Sequence, residues 1–495
     1  GLRTGFRSRI LMWAAGAPGK TATSGWRGRM STLFNAKKRL KGSSSRMVCS
    51  FIPRMASGLS SSTWSVMKSK SNWKSEPKPW PSLNFSTAAP ITHTHVTSVQ
   101  PLHSFELERY FAKYEFVVPH LLCSSDCEPI AMSEVIALAD EEVSELWRSL
   151  KLAYTESKGH PLLLKEIASL YLTHDQNLNV VTGVPQELIY LFMKSILSGG
   201  ERVVSTYPGY QSLTEVALSL GCTVDAWTPE ESADGKDVWF DVDKLESIMN
   251  SGDPTSLLVV NFPHNPTGAL LTRSEQSRVI DLCKANGTIL FSDEMYRGLE
   301  RSEDRRLTSA CDVYDRAVSL AGMSKVYGMP GVRIGWLAFG SHRVLGDVFE
   351  RVCSLKDYTT ICAPGPSEIL ALAGLRSRDR LLKRCRKICE AGIDALEKLT
   401  SRHDDTFAWT TPPGGSTGFP KIQNQDAHLF TERVRNECGV LLLPGSAYLP
   451  GDERMGKLIG FGSDRVRLAY GRADVPQVVE TLGKWLDSEL ESPYN

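Results

Sequence analysis

Short apolar runs alternate with amphipathic stretches from about Gly183 onward. The runs are continuous rather than alternating in polarity, which is typical of strands buried on both faces of a sheet. Five of them stand out, at residues 202–206, 256–262, 288–292, 317–321 and 334–339. Between the second and the third, Thr272 and Glu275 form a capping box, which predicts a helix that ends near Gly287. This alternation predicts an α/β fold with a parallel or mixed sheet.

The pattern changes beyond about residue 376. Helical stretches come first, then a glycine pair at 414–415, and then two apolar runs at residues 440–443 and 465–470. A mixture of this kind is typical of a smaller α+β domain. We therefore predict three regions: an N-terminal extension over residues 1–100, a large domain over residues 150–375, and a small domain formed by residues 101–149 together with 376–495.

The composition is that of a folded chain, with 41% hydrophobic and 23% charged residues among 495. No stretch of about 18 apolar residues is present, so we expect no membrane-spanning helix. The net charge of +1 conceals an asymmetry. Residues 1–100 carry 16 Lys and Arg against one acidic residue, whereas the rest of the chain carries 41 basic and 55 acidic residues. The acidic balance of residues 101–495 argues against a nucleic-acid partner, because phosphate binding needs a basic surface.

The first hundred residues differ in composition from the rest. They hold 18 serines and a single acidic residue, Glu76, which predicts a disordered segment without a core. A segment that is rich in Arg and Ser and poor in acid is also typical of a transit peptide. The alternative is a spurious upstream extension, with translation starting later at Met30 or Met47. The first interpretation places the protein in a mitochondrion or plastid, and the second places it in the cytoplasm.

Eleven cysteines, an odd number, are scattered along the chain, and no secretory signal stands out. We interpret them as reduced thiols in an intracellular compartment. Cys123 and Cys127 are four residues apart, as are Cys385 and Cys389, a spacing that in a helix would place two thiols on one face. A zinc site would need two further ligands nearby, so we favour buried thiols and expect no metal.

Polar residues follow the predicted strands, and in open α/β sheets ligands bind beyond the carboxyl ends of the strands. In chain order they are Gly183 and Val184 before a helix predicted at 186–197, Tyr210 after the run 202–206, Asn265 after 256–262, Asp293 and Tyr296 after 288–292, and Lys325 and Arg333 after 317–321. The sequence therefore predicts one polar constellation at one edge of the sheet.

Together these residues resemble the fold type I pyridoxal-phosphate (PLP) enzymes, and specifically the class I and II aminotransferases. The resemblance covers about residues 105–490. Four motifs carry it in order: Asn-Pro-Thr-Gly at 265–268, Asp-Glu-Met-Tyr at 293–296, Ser-Lys at 324–325 with Gly-Val-Arg-Ile-Gly at 331–335, and Arg-Leu at 467–468. It implies a PLP cofactor and a large domain whose mostly parallel sheet lies between helices, beside a smaller α+β domain. It also implies transfer of an amino group between an amino acid and a 2-oxo acid.

The resemblance gives roles to the residues around the cofactor ring. Lys325 would form the Schiff base with PLP and then carry the proton between Cα and C4′. The alternative for a single lysine is a solvated surface charge. Asp293 would pair with the pyridinium nitrogen and keep it protonated. Asn265 and Tyr296 would hydrogen-bond the phenolic oxygen. Tyr210 would stack on the ring. The alternative is that Tyr210 lies in a turn and packs on the core.

Phosphate binding needs amide donors and positive charge. By the resemblance, Gly183 and Val184 would offer the free N–H groups of a helix N-terminus, and Arg333 would supply the charge. Tyr154 would reach the phosphate of a partner subunit, which implies a homodimer with shared active sites. The alternative for Tyr154 is an ordinary aromatic side chain at a helix end.

Substrate binding falls to Arg467 and Asn265 in the same resemblance. Arg467 would hold the α-carboxylate as a bidentate fork, which a lysine could not replace. Arg465 and Arg472 are close competitors for this role. Side-chain selectivity depends on the shape of the pocket, which the motifs do not encode.

Two positions depart from the family pattern. Gly322 stands three residues before Lys325, where the family often has a serine that donates to the phosphate, although Ser324 is adjacent. Pro185 stands in the phosphate turn, where it has no N–H to donate. Both departures are expected to weaken phosphate anchoring unless Ser324 or another group compensates.

The N-terminal part of the body, at residues 105–107, 114–116 and 124–126, resembles a less-studied branch related to capreomycidine synthases. In that branch Asp126 and Glu128 are candidates to meet a cationic substrate side chain, with a solvated acidic loop as the alternative. The same machinery also serves elimination, replacement or ring closure on an amino acid, which is our alternative reaction. A ligand-sensing regulator is disfavoured, because residues 1–100 show no helical periodicity for a DNA-binding domain.

Overall fold

Residues 101–172, 179–449 and 461–490 are described by the computed structural model. The extension over residues 1–100, with its transit-peptide and late-start interpretations, lies outside these ranges. The described strands are β1 (His120–Leu121), β2 (Asn179–Gly183), β3 (Arg202–Thr206), β4 (Thr223–Trp227), β5 (Glu230–Glu231), β6 (Val238–Trp239), β7 (Thr255–Asn261), β8 (Ile289–Asp293), β9 (Ala317–Gly322), β10 (Gly335–Phe339), β11 (Phe407–Ala408), β12 (Thr417–Gly418), β13 (Lys421–Ile422), β14 (Val440–Leu441), β15 (Leu443–Pro444) and β16 (Val466–Ala469).

Helices surround these strands. They are α1 (Glu106–Tyr114), α2 (Met132–Ala137), α3 (Glu141–Ser149), α4 (Pro161–Ala168), α5 (Pro185–Ile196), α6 (Ser212–Ser219), α7 (Val242–Met249), α8 (Arg273–Asn286), α9 (Ala310–Val313), α10 (His342–Lys356), α11 (Gly365–Arg376), α12 (Arg378–Arg402), α13 (Ala427–Arg433) and α14 (Val475–Leu490). Within the described ranges, no helix combines the length and the apolar character needed to cross a bilayer.

The central sheet has seven strands in the order β2-β10-β9-β8-β7-β3-β4. Strands β4, β3, β7, β8 and β9 run parallel, and β10 is antiparallel to both of its neighbours. Smaller pairings join β1 to β14, β11 to β13, β5 to β6, and β12 to β16 and β15. The predicted α/β class, with a mostly parallel sheet between helices, is confirmed.

Helices cover both faces of the central sheet, and this explains why its strands are continuously apolar. Adjacent residues of one strand belong to different apolar clusters: Val203 lies in one and Val204 in the other, and Leu257 and Leu258 divide in the same way. Since successive side chains point to opposite faces, both faces of the sheet are packed. A strand in this position has no solvent side on which to carry polar residues.

The five predicted apolar runs all correspond to strands of this sheet, and no end differs by more than one residue. The helix with the capping box is present as α8, and Gly287 ends it in the left-handed conformation at φ 65°. The two strands that the pattern did not predict, β2 and β4, are the edges of the sheet. In β4 the pattern is broken by Asp225, whose carboxylate lies 2.6 Å from the Arg202 guanidinium. The described residues belong to one compact unit, and the division into a large and a small domain stays a prediction.

Candidate active site

A cavity of about 440 Å³ opens at the carboxyl edge of the central sheet. It is lined by residues that lie far apart in the sequence. Eight of the predicted site residues share it: Tyr210, Asn265, Asp293, Tyr296, Ser324, Lys325, Arg333 and Arg467. The expected polar constellation is therefore brought together in a single space.

The ends of β7 and β8 set the floor of the cavity. Asn261 and Asp293 are the last residues of these strands and face each other in the strand register. The Asn261 amide donates to the Asp293 carbonyl at 3.0 Å and accepts from the Asn265 backbone N–H at 2.8 Å. The strand pairing thus fixes Asp293 and Asn265 relative to each other.

Asp293 is a buried carboxylate with few partners. Its Oδ1 accepts from the backbone N–H of Met295 at 3.1 Å. Burial raises the pKa of Asp293 to about 7, while the Met295 N–H and the nearby Lys325 act in the opposite direction. An ionised carboxylate at this depth is stabilised by a cation, so the position fits a protonated ring nitrogen.

Lys325 follows β9 and the turn at Met323 and Ser324. Its Nζ donates to the Ser125 hydroxyl at 2.9 Å, and burial lowers the pKa of its amine. A lowered pKa favours the neutral amine, which is the form that can attack a carbonyl or accept a proton. Ser125 lies 200 residues earlier in the chain and was not among the predicted site residues.

Two tyrosines stand beside this lysine. Tyr296 is buried, its side chain is hydrogen-bonded to Ser125, and burial raises its pKa. Tyr210 lines the cavity, and its hydroxyl donates to Glu108 of α1 at 3.0 Å. The Tyr210 ring also packs against Phe105, with centroids 5.0 Å apart. The Tyr210 side chain thus lines the cavity and also packs against α1 and the residue that precedes it.

The opposite side of the cavity offers groups for an anion. Helix α5 begins after Val184 with no side-chain cap, so its first N–H groups remain available. The buried Ser324 hydroxyl has no hydrogen-bond partner among the described residues. Arg333 is exposed at the rim, in the left-handed conformation at φ 57°. An uncapped helix start, an unpaired hydroxyl and a guanidinium together fit a phosphate.

Gly322, the first departure from the family pattern, lies where the backbone of neighbouring elements approaches closely. A Cβ on Gly322 would lie 3.0 Å from the Gly335 Cα and 3.1 Å from the Ile334 carbonyl oxygen. A Cβ on Gly335 would lie 2.6 Å from the Pro185 Cγ. A side chain at 322 would therefore require the backbone of Ile334 and Gly335 to shift by a few tenths of an ångström. The free hydroxyl of Ser324 faces the same cavity and can take over that donation.

Arg467 is buried beside the strand ends, in β16. Its Nη1 donates to Asn265 Oδ1 at 3.1 Å and to the Tyr448 hydroxyl. Its Nε and Nη2 donate to the Cys123 carbonyl at 3.0 and 2.6 Å. These contacts hold the plane of the guanidinium against the cavity wall.

The competing arginines are engaged elsewhere. Arg465 is buried against Glu231 and donates to the carbonyls of Phe419 and Gly235. Arg472 forms a forked pair with Asp126, at 3.0 and 2.9 Å. Neither arginine lines the cavity. The geometry therefore favours Arg467 as the arginine that faces a ligand.

The structure changes the interpretation of the N-terminal acidic residues. Asp126 is neutralised by Arg472, and a Glu128 oxygen accepts from the Ala473 N–H at 3.0 Å. Asp126 lines the cavity, and so do two carboxylates of the first helical segment, Glu108 and Glu115. Sequence reasoning missed the latter two because their positions are set by long-range packing of α1.

Tyr154 and the glycine turn are placed differently from the other site residues. Tyr154 is 86% exposed and lies outside the cavity of its own chain. Gly183 ends β2 and Val184 precedes α5, and the cavity wall at this point is formed by Pro185 and Gln186. Tyr154 is therefore not brought to this site by the fold of one chain.

The cysteines of the described ranges are all free thiols. Cys127 and Cys389 approach to 4.0 Å between their sulfurs, and Cys385 is buried close to them. Among the described residues, no group of three or more His, Cys, Asp or Glu side chains is arranged to hold a metal ion.

Comparison with known proteins gives consistent matches. A family model described as aminotransferase class I and II matches residues 123–474. A capreomycidine synthase of Streptomyces vinaceus is 28% identical over 298 residues, which cover 60% of this chain and 72% of that protein. An aspartate aminotransferase of Thermococcus kodakarensis is 30% identical over 308 residues, covering 62% and 76%. A solved PLP-dependent aminotransferase from Streptococcus suis has a TM-score of 0.68 and 26% identity, covering 79% of this chain and 99% of that one.

The pKa of Asp293 generates a stability prediction for the protein stripped of small molecules. An unfolded aspartate has a pKa of about 3.9, so between that pH and about 7 the folded chain holds a proton that the unfolded chain has lost. The stripped protein should therefore lose stability as the pH rises through this window. Asp293→Asn removes this pH dependence. The free energy of unfolding of the variant should therefore rise relative to that of the wild type between pH 5 and pH 8.

Urea unfolding of both stripped proteins at the two pH values measures this difference. Asp347→Asn, a change at an exposed carboxylate of α10, is the matched control and should follow the wild type. If the stability of wild type and Asp293→Asn depended equally on pH, the raised pKa would not belong to Asp293.

Proposed function

This chain belongs to the class I and II aminotransferases, and from that membership we propose the part that each residue of the cavity plays. The enzyme is PLP-dependent and moves an amino group between an amino acid and a 2-oxo acid. The single observation that carries the proposed roles is the convergence of Lys325, Asp293 and Arg467 on one cavity.

Lys325 is the proposed catalytic residue. PLP, when bound, supplies an aldehyde that condenses with amines and a ring that withdraws electrons from the substrate Cα. Lys325 would hold the cofactor covalently and, once released, take up the Cα proton on Nζ and return it. The lowered pKa of its amine supports this role, because a neutral nitrogen is needed to accept a proton.

Asp293 is proposed to face the ring nitrogen of the cofactor. Its burial leaves a carboxylate whose ionised form needs a nearby cation, and a protonated ring nitrogen supplies one. Asn265 and Tyr296 would hydrogen-bond the ring's phenolic oxygen, and Tyr210 would lie against the ring. All three line the cavity beside Asp293, which supports the assignment.

The cofactor phosphate is proposed to lie at the start of α5. Gly183 and Val184 lead into this helix, whose first turn offers N–H donors and the positive end of the helix dipole. Ser324 would donate its free hydroxyl, and Arg333 would supply the charge. The loss of one amide at Pro185 leaves the N–H groups of the next residues unaffected.

Arg467 is proposed to bind the substrate α-carboxylate, with Asn265 beside it. A fork of parallel N–H bonds suits a carboxylate, and the guanidinium is already held in place by protein oxygens. Because those oxygens are replaceable by a ligand carboxylate, the site can exchange one acceptor for another without leaving a donor unpaired.

The alternative reaction, elimination, replacement or ring closure on an amino acid, would use the same lysine and aspartate. The similarity to a protein named capreomycidine synthase keeps this reaction as the second candidate. The products distinguish the two. Amino transfer converts a 2-oxo acid into its amino acid, whereas the alternative yields ammonia or a modified amino acid without consuming a 2-oxo acid.

A homodimer with shared active sites is proposed from the exposed apolar side chains near Tyr154. Leu152, Tyr154 and Tyr358 are 91%, 86% and 89% exposed. They lie on two segments that contact each other, since the Ser157 hydroxyl donates to the Ile361 carbonyl at 2.8 Å. Clustered exposed apolar side chains are typical of an interaction surface. We also propose the division into a large domain over residues 150–375 and a small domain over residues 101–149 and 376–495.

Lys325→Ala tests the catalytic assignment. The variant should lose catalysis by at least about 10²- to 10⁴-fold, because the group that moves the proton is gone. Borohydride treatment followed by peptide mapping should find the cofactor fixed to Lys325 in the wild type and fixed nowhere in the variant. Lys398→Ala, at an exposed position of α12, should behave as the wild type. Cofactor still trapped on the Lys325→Ala chain would refute the role.

Arg467→Lys tests the carboxylate role, since it keeps the charge and removes the fork. It should weaken the binding of every amino acid by a similar factor, about 10- to 100-fold, as expected for loss of a charged hydrogen-bonded pair. Steady-state KM values for a panel of amino acids measure the effect. A change confined to one substrate would instead indicate a side-chain contact.

Mixed dimers test the shared site. If Tyr154 acts on the partner's cofactor, a dimer of one Lys325→Ala chain and one Tyr154→Phe chain contains one intact site and one doubly altered site. Co-expression of differently tagged chains should then give dimers more active than either parent. If Tyr154 acts within its own chain, each site is singly altered and no activity is regained. Sedimentation that shows only monomers would contradict the dimer itself.

A further inference from the structure

Residues 122–130 form a segment that lines the cavity with Ser124, Ser125 and Asp126 and is anchored along its length. The Leu122 N–H donates to the Leu441 carbonyl at 3.0 Å, and the Glu128 N–H donates to the Gly471 carbonyl at 2.7 Å. The Cys123 carbonyl accepts from Arg467, as described above. A segment held at this many points presents its middle residues in a fixed position.

Ser125 is in the middle of this segment and contacts the proposed catalytic lysine. Its hydroxyl accepts from Lys325 Nζ at 2.9 Å, and its own carbonyl accepts from the Ser416 hydroxyl at 2.6 Å. The Ser125 side chain is also hydrogen-bonded to Tyr296. The serine hydroxyl therefore joins the lysine amine to a second site residue, and its backbone is fixed from the other side.

We propose that Ser125 is a positioning residue for Lys325, whose amine it holds through one N–H bond so that the nitrogen lone pair is directed into the cavity. This inference rests on the proposed function of Lys325. A lysine side chain has four rotatable bonds, and in a cavity of this size its amine would otherwise sample several positions. The hydroxyl suits the task because it accepts from the amine and still has a proton of its own to donate to a second group.

Positioning of this kind matters for the step in which the lysine acts as a base. The Cα–H bond of the substrate breaks, its proton joins the Nζ lone pair, and the electron pair stays on the substrate side. An amine that donated to no group could turn its lone pair away from Cα. Misplacement of a reacting group by about 1 Å can cost about 10²-fold in rate.

The neighbouring Ser124 provides a matched control. It lies on the same segment and is buried, and its hydroxyl has no hydrogen-bond partner among the described residues. Removing either hydroxyl deletes one oxygen from the same stretch of chain. A difference between the two variants therefore reports on the Lys325 contact and not on the presence of a serine in the segment.

The test uses the full-length protein with its cofactor removed and then added back. The covalent attachment of PLP to Lys325, which forms one C–N bond and releases one water, is followed by borohydride quenching and peptide mapping. Ser125→Ala should slow attachment by about 10- to 100-fold. Ser124→Ala should attach at the wild-type rate, and Ser125→Thr, which restores the hydroxyl, should recover most of it.

Binding without attachment is measured separately with pyridoxine 5′-phosphate, which lacks the aldehyde. Its affinity should be the same in wild type and Ser125→Ala if the serine acts only through the lysine. An unchanged attachment rate in Ser125→Ala, or a loss of pyridoxine 5′-phosphate affinity as large as the loss of rate, would overturn the inference. Attachment of PLP in the wild type to a lysine other than Lys325 would instead refute the proposed function.

Discussion

The buried carboxylate of Asp293 is the constraint on which the rest of the site depends. It ends a central strand, and in the chain without ligand it receives one backbone N–H bond at 3.1 Å. Burial of this kind raises its pKa to about 7, so the fold holds an acid that is costly to ionise. A cation that reaches Asp293 removes that cost, and the same cation gains a fixed charge beside it. The neighbouring strand β7 holds Asp293 in place, since Asn261 of β7 is hydrogen-bonded to the Asp293 carbonyl and to the backbone of Asn265.

Other features of the cavity are also unfavourable in the chain without ligand. The Ser324 hydroxyl is buried without a partner, α5 has no side-chain cap, and Arg333 has a positive φ that a non-glycine residue rarely adopts. Each of these features costs free energy in the ligand-free chain, about 1–3 kcal/mol for an unsatisfied buried group. All three lie on the side of the cavity where an anion is expected. A phosphate would satisfy the hydroxyl, the helix N–H groups and the guanidinium together, so the cost of the unpaired groups is recovered on binding.

The parts of the fold and site that the sequence predicts are those encoded by local patterns. Buried strands read as continuous apolar runs, and the residue after each run is the one that the parallel sheet brings to its carboxyl edge, which is how Asp293 and Lys325 were found. The edge strands β2 and β4 were missed, because an edge carries polar residues such as Asp225. Ser125 was missed for a different reason. It approaches Lys325 from 200 residues away, and only the pairing of its segment with the C-terminal strands brings it there. The role of Tyr154 depends on a second chain, and motif resemblance alone suggested it.

The 122–130 segment contacts both the proposed carboxylate site and the proposed catalytic lysine. Arg467 gives two of its N–H groups to the Cys123 carbonyl, and Ser125 accepts from Lys325 two residues later. A substrate carboxylate bound at Arg467, as proposed, would compete with that carbonyl. Because the segment is anchored on both sides of these contacts, Cys123 and Ser125 hold the guanidinium and the amine in a fixed arrangement. The pairing of Asp126 with Arg472 limits how far the segment can move. One short stretch of backbone therefore sets the proposed carboxylate site and the proposed catalytic amine relative to each other.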